Sequence, residues 1–229
     1  MVIAGKIFVL EELSELNLLA AKLKGYFRKE VVKFDEREME LVTEIKGLAI
    51  KENRLQGIFS RDYVISTIYR GDISIIPATR ESTFVFTRHA DASLLFVSEK
   101  KERANNIASM LSGILFIDFG GIVEANITHK TLKAFHESSP EATKVIFFDE
   151  VDLPNVNKLS LYGLALTNTS LYNEYLKHGK IWYVVFESKK HGYVIGLTRN
   201  CVITVFSKIN ENRFIDYVME EIFPLVEIQ

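Results

Sequence analysis

Residues 181–207 read IWYVVFESKKHGYVIGLTRNCVITVFS. Three β-rich runs, 181–187, 193–198 and 202–207, are separated by connections of hairpin size at 188–192 and 199–201. Strands joined so tightly pair antiparallel, because a parallel pair needs a crossover of about a dozen residues. The first run is apolar on both alternating faces: Ile181, Tyr183 and Val185 on one, Trp182, Val184 and Phe186 on the other. Such a strand requires a cover on each face. Residues 211–223 offer one cover: Phe214, Ile215, Val218, Met219 and Ile222 recur at helical spacing, and Pro224 marks the end.

Upstream of the hairpins, 171–178 reads as a short helix stopped by Gly179. The runs 144–148 and 159–162 read as strands around the polar, turn-rich 149–158, DEVDLPNVNK. Thr128 is placed to cap a helix over 129–137, with Pro140 beyond it. The first half opens with a helix over 11–24, where Leu13, Leu16, Leu19, Ala20 and Leu23 form a stripe. Short strands follow at 39–45, 48–51, 57–59, 63–69, 73–76, 83–88 and 94–97. Turns fall at Gly71-Asp72 and over 77–82, and Ser98 caps a helix over 99–115. Gly120-Gly121 is the best hinge, so the expected division is an α+β half over 1–119 and another over 122–229.

The element order of 128–229 resembles the profilin-like layout of roadblock and longin modules, an antiparallel sheet with helices packed on it. The first half, a helix, a strand meander and a closing helix, resembles one repeat of the TATA-binding-protein fold. Both resemblances rest on element order and imply architecture alone, since fold does not carry chemistry.

The 229 residues are 48% hydrophobic and 25% charged, which excludes disordered and fibrous classes. Lys+Arg number 28 against 30 Asp+Glu, so no bulk basic field draws the chain to nucleic acid or an anionic membrane. Cys201 is the only cysteine, which excludes an internal disulfide framework and a cysteine zinc cage. Gln56 and Gln229 are the only glutamines among many charges, a composition shared with thermophilic proteins. The run 7–10 is too short for a secretory core, and the window 114–123 is interrupted by Asp118 and two glycines. A soluble, cytoplasmic chain with no membrane partner is expected.

Four patterns bear on chemistry. Asp149, Glu150 and Asp152 gather after a strand, where carboxylates can hold Mg²⁺, although Pro154, Asn155 and Asn157 suit a solvated turn. Glu187-Ser-Lys189 resembles the Glu-x-Lys end of a restriction-type nuclease motif, which implies a metal-dependent hydrolase or nuclease using Asp149, Asp152 and Glu187. Glu44-Ile-Lys46 and Glu99-Lys-Lys101 match the same pattern, as chance produces in a charged chain. The basic stretch 22–33, with Tyr26 and Phe27 inside it, would suit a nucleic-acid-associated factor. Glu30, Asp35, Glu36, Glu38 and Glu40 oppose that reading. His89, His129, His136, His178 and His191 are scattered, and Cys201 lies beside Arg199 without an assignable base. No nucleophile elbow and no phosphate loop occur, so no cofactor is expected.

The fourth pattern is aromatic. Tyr162, Tyr172, Tyr175, Trp182, Tyr183, Phe186 and Tyr193 crowd one region, a composition enriched at interfaces. Tyr172, Tyr175, Trp182 and Tyr183 are the interface candidates. The favoured reading is a non-enzymatic interaction or regulatory module that binds another protein or a second copy of itself.

Overall fold

The computed structural model describes residues 2–34, 37–116, 120–138 and 142–228. The expected features at Asp35, Glu36, Asp118 and Pro140 lie outside the described residues. The chain is α+β, with twelve strands and five α-helices among the described residues. No helix among them is long and apolar enough to cross a membrane. Two compact units are formed: Met1–Val9, Ser98–Ala104 and Val123–Gln229 make one, and Leu10–Val97 and Asn105–Ile122 make the other.

The first unit contains β1 (Ile3–Leu10), β7 (Ile122–Glu124), β8 (Thr143–Asp149), β9 (Leu159–Tyr162), β10 (Lys180–Glu187), β11 (Val194–Thr198) and β12 (Val202–Val205). Its strand order is β1-β12-β11-β10-β8-β9, with β7 beside β1. The consecutive hairpins β10–β11–β12 appear where the opening stretch places them, all antiparallel. Helices α3 (His129–Glu137), α4 (Ser170–His178) and α5 (Glu211–Tyr217) also fall at or near their expected positions. Thr128, Thr169 and Asn210 cap them, each side chain accepting from the backbone N–H three residues on. Beyond α5 the helix widens into a π turn over Val218–Ile222 and then tightens over Phe223–Leu225.

Strand β1 is the main addition to the sequence reading. Ile7 and Phe8 are buried, and β1 pairs Ile3 with Val205 through Lys6 with Val202. Its run is short and followed by acids, so partners distant in sequence, β12 and β7, make it a strand.

The second unit contains α1 (Leu16–Leu23), β2 (Phe27–Phe34), β3 (Arg37–Lys51), β4 (Arg54–Tyr69), β5 (Asp72–His89) and β6 (Ala92–Val97). They form an antiparallel meander in chain order. Helix α2 (Lys101–Leu115) follows, and from Asn105 onward it belongs to this unit. The expected breaks within β3, β4 and β5 are not breaks. Gly47 takes φ +57° at a bulge, so 39–45 and 48–51 become one strand. Pro77 lies inside β5 opposite Val64, where β6 no longer pairs, so its missing N–H faces an open edge. The basic stretch 22–33 is largely β2.

One feature of this unit is an arm. The β3–β4 ladder ends at Thr43 and Arg61, and β4 and β5 continue alone from Asp62 and Thr79. Asp62 closes the junction: its carboxylate accepts from Val42 N–H at 2.8 Å and from Thr79 Oγ1 at 2.6 Å. These bonds, the Thr79 bond first, hold the Asp62 carboxyl below its usual range.

Candidate functional site

In the first unit the sheet has a closed and an open face. Ile146, Phe148, Ile181, Val184, Ile195, Leu197, Ile203 and Val205 alternate onto one face and are all fully buried. Phe135 of α3 meets Phe186 edge-on, and Tyr172 and Tyr175 of α4 meet Phe148, so helices cover this face. His129 ties α3 to β10 by accepting from Ile181 N–H at 2.8 Å. On the opposite face Phe147, Tyr183, Thr198, Val202 and Thr204 are only half-buried.

A bulge makes that face aromatic. The β10–β8 register shifts between Ile181 and Tyr183, so Trp182 is an extra residue and turns toward the open face instead of sharing the covered face with Val184. Trp182, Tyr183 and Tyr162 each lie within 6 Å of the Phe147 ring, at 5.8, 5.4 and 5.7 Å between centroids. Lys158 Nζ stands 5.0 Å over the Trp182 ring. Gly196 leaves room for Tyr183, since a Cβ there would meet ring carbons at 3.0 Å. Tyr162 is 67% exposed at the outer strand β9.

Beside this patch lies a cleft of about 670 Å³, lined by Lys101, Asn126, Asp149, Trp182, Arg199 and Asn200 among others. Arg199 bridges Asp149 Oδ2 at 2.5 Å and Glu150 Oε1 at 3.1 Å. Lys180 also reaches Glu150 at 2.6 Å, and these two cations hold its carboxyl below the usual range, Lys180 foremost. Two buried polar atoms of the cleft's lining residues have no hydrogen-bond partner: Asp149 Oδ1, an acceptor, and Trp182 Nε1, a donor. A buried unpaired polar atom costs about 1–3 kcal/mol, so a molecule supplying one donor and one acceptor here is favoured.

The expected metal ligands are each engaged separately. Asp149 pairs with Arg199, Asp152 with His178 at 2.9 Å, and Glu187 with Lys144 at 3.0 Å. Of the interface candidates, Trp182 and Tyr183 lie on the open face. Tyr172, by contrast, is a core residue at 1% exposure, its hydroxyl donating to Glu137 Oε1 at 2.8 Å. Tyr175 packs edge-on against Phe148 on the covered side. Cys201 is buried, and burial holds its thiol well above the usual range, which disfavours the thiolate. In the basic stretch Lys22 donates to Leu115 O, and Arg28, Lys29 and Lys33 pair with Glu30, Glu40 and Glu38.

A second apolar surface, which alternation alone does not reveal, is the arm of the other unit. Ile68 and Ile73 are 74% and 71% exposed and face each other across β4 and β5. Ile65 and Ile76 form a second exposed pair on the opposite side of the ribbon. No family model matches the chain, and no curated protein matches it.

Proposed function

We propose that the protein is a non-enzymatic interaction module that binds a partner protein on the open aromatic face of β8, β9 and β10. The observation that carries this reading is the half-exposed Phe147–Trp182–Tyr183 cluster beside two unpartnered buried polar atoms. Interfaces are enriched in such aromatics, and a partner's amide could donate to Asp149 Oδ1 and accept from Trp182 Nε1. The element order α3, β8, β9, α4, β10, β11, β12, α5 supports the profilin-like reading of 122–229. The helix, meander and helix of α1 to α2 support a TATA-binding-protein-like reading of the first half. Trp182 is the sole tryptophan, so its emission reports directly on the face. Proteins recovered from the host on the wild-type chain should be lost on Trp182→Ala, and each purified partner should shift the emission of the wild type. A partner retained equally by Trp182→Ala and Tyr162→Ser sinks the proposal.

A second reading, self-association, rests on the arm. Both faces of that ribbon carry exposed isoleucines, and an isolated two-stranded ribbon is marginal in water. Between residues 63 and 79 the only charges are Arg70 and Asp72, so two copies meet without net repulsion. Sedimentation equilibrium should give a multiple of 26.2 kDa, and Ile68→Asp with Ile73→Asp should weaken association by at least about tenfold. A wild type that stays monomeric over a wide concentration range removes this reading.

A further inference from the structure

We propose that His191, Glu220 and Glu221 form a binding site for one divalent transition-metal ion. The proposal is independent of the interaction reading above. His191 lies in the β10–β11 connection, and its ring is fixed on two sides. Tyr193 stacks on it at 5.5 Å and 14°, and Tyr217 meets it edge-on at 5.4 Å and 85°. The Nε2 atom is shielded from solvent and has no hydrogen-bond partner. It faces Glu220 Oε2 at 3.6 Å and Glu221 Oε1 at 3.7 Å.

Those distances suit an ion between the three groups. Metal bonds of about 2.1 Å to nitrogen and oxygen separate adjacent ligand atoms by roughly 3.0–3.4 Å. Bringing His191 to each carboxylate therefore needs a movement of only a few tenths of an ångström. All the ligand atoms already lie within 4.8 Å of one another, and the half-exposed Glu220 side chain can close the remainder. The π turn over Val218–Ile222 delivers two consecutive carboxylates to one imidazole, and such turns recur at functional sites.

Lys190 does not compete for the same oxygen of Glu220. It holds Oε1, while Oε2 is the atom that faces His191. It is placed as the outer hydrogen-bond partner that orients a ligating carboxylate. Its 3.6 Å approach to Glu221 Oε1 is the contact that an ion would replace. One imidazole with two carboxylates favours Zn²⁺, Co²⁺ or Mn²⁺ over Mg²⁺ or Ca²⁺, which prefer oxygen alone. Three protein ligands leave a coordination position open. Glu221 also lines a cleft of about 200 Å³ with Phe135, His136, Phe186 and Tyr217.

The test uses the full, tag-free chain stripped with chelator and titrated with ZnCl₂ by calorimetry. One equivalent should bind, with a rise in the melting midpoint. His191→Gln and Glu221→Gln should each weaken binding by at least about tenfold. His178→Gln should bind as the wild type does, since its Asp152 pair is a separate contact. Nitrogen NMR should place the shifted Nε2 resonance on His191, which keeps the proposal testable if a variant is unstable. Unsaturable binding, or binding indifferent to both variants, means that these groups form an ion-pair network only, and overturns the proposal.

Discussion

Tyr172→Asp is expected to lower the unfolding free energy by about 4 kcal/mol or more, a large part of the roughly 5–15 kcal/mol of an ordinary domain. The ring is 1% exposed and packs against Phe148 with centroids 6.3 Å apart. Its hydroxyl donates to Glu137 Oε1 and lies 3.1 Å from His136 Nε2, while Thr143 Oγ1 approaches His136 Nδ1 at 3.4 Å. An aspartate here would remove the ring, leave a cavity and face Glu137 with like charge. Tyr172→Phe keeps the ring and should cost about 1.5–3 kcal/mol, the usual net worth of a hydrogen bond to a charged group. Urea unfolding at neutral pH separates the two variants.

The same network carries a pH signature. Burial lowers the His136 pKa to about 4, from an ordinary 6.5. Between those values the unfolded chain binds the proton and the folded chain does not, so stability falls as pH falls from 6.5 through about 4. The slope contributed is at most about 1.4 kcal/mol per pH unit. His136→Gln should flatten the profile in that window, and an unchanged profile would show that His136 is not held neutral.

Local pattern made the hairpins β10–β11–β12 and helix α3 legible, because their periodicity and turn residues agree with their tertiary surroundings. It could not supply β1, whose burial depends on β12, about two hundred residues away. Pro77 and the segment 77–82 read as a turn because a proline usually interrupts pairing. Here the ribbon has an open edge that tolerates it. The candidate site was legible in composition but not in direction. Counting aromatics selects Tyr172 and Trp182 alike, yet α4 turns Tyr172 into the core and a bulge turns Trp182 toward the open face. The acids after β8 were legible as a cluster, whereas their separate partners, Arg199 and His178, come from elements distant in sequence. His191 and the pair Glu220-Glu221 are about thirty residues apart and meet only because a π turn interrupts the last helix.

Glu124→Gln is expected to destabilise the fold by about 2 kcal/mol at neutral pH, with the loss shrinking as the solution becomes alkaline. Lys6 has a fully buried side chain on β1 and is ion-paired to Glu124 on β7. Its ammonium also stands 5.2 Å from the centre of the Phe8 ring. Removing one partner of a fully buried pair costs about 3–5 kcal/mol, and the 51% exposure of Glu124 places this case below that range. Burial lowers the Lys6 pKa below 10.5, against the opposing pull of Glu124, with Lys101 also lowering it. A folded ammonium with a depressed pKa binds its proton less readily than the unfolded one. Wild-type stability contributed by this group therefore rises with pH between the folded pKa and 10.5. Removing the Glu124 charge depresses that pKa further and widens the window downward. The difference between the two proteins should be largest below the window and vanish above 10.5, where Lys6 is neutral in both states. Urea midpoints collected from pH 7 upward test this, and a destabilisation constant across the series would assign the effect to Glu124 packing instead of to the buried charge.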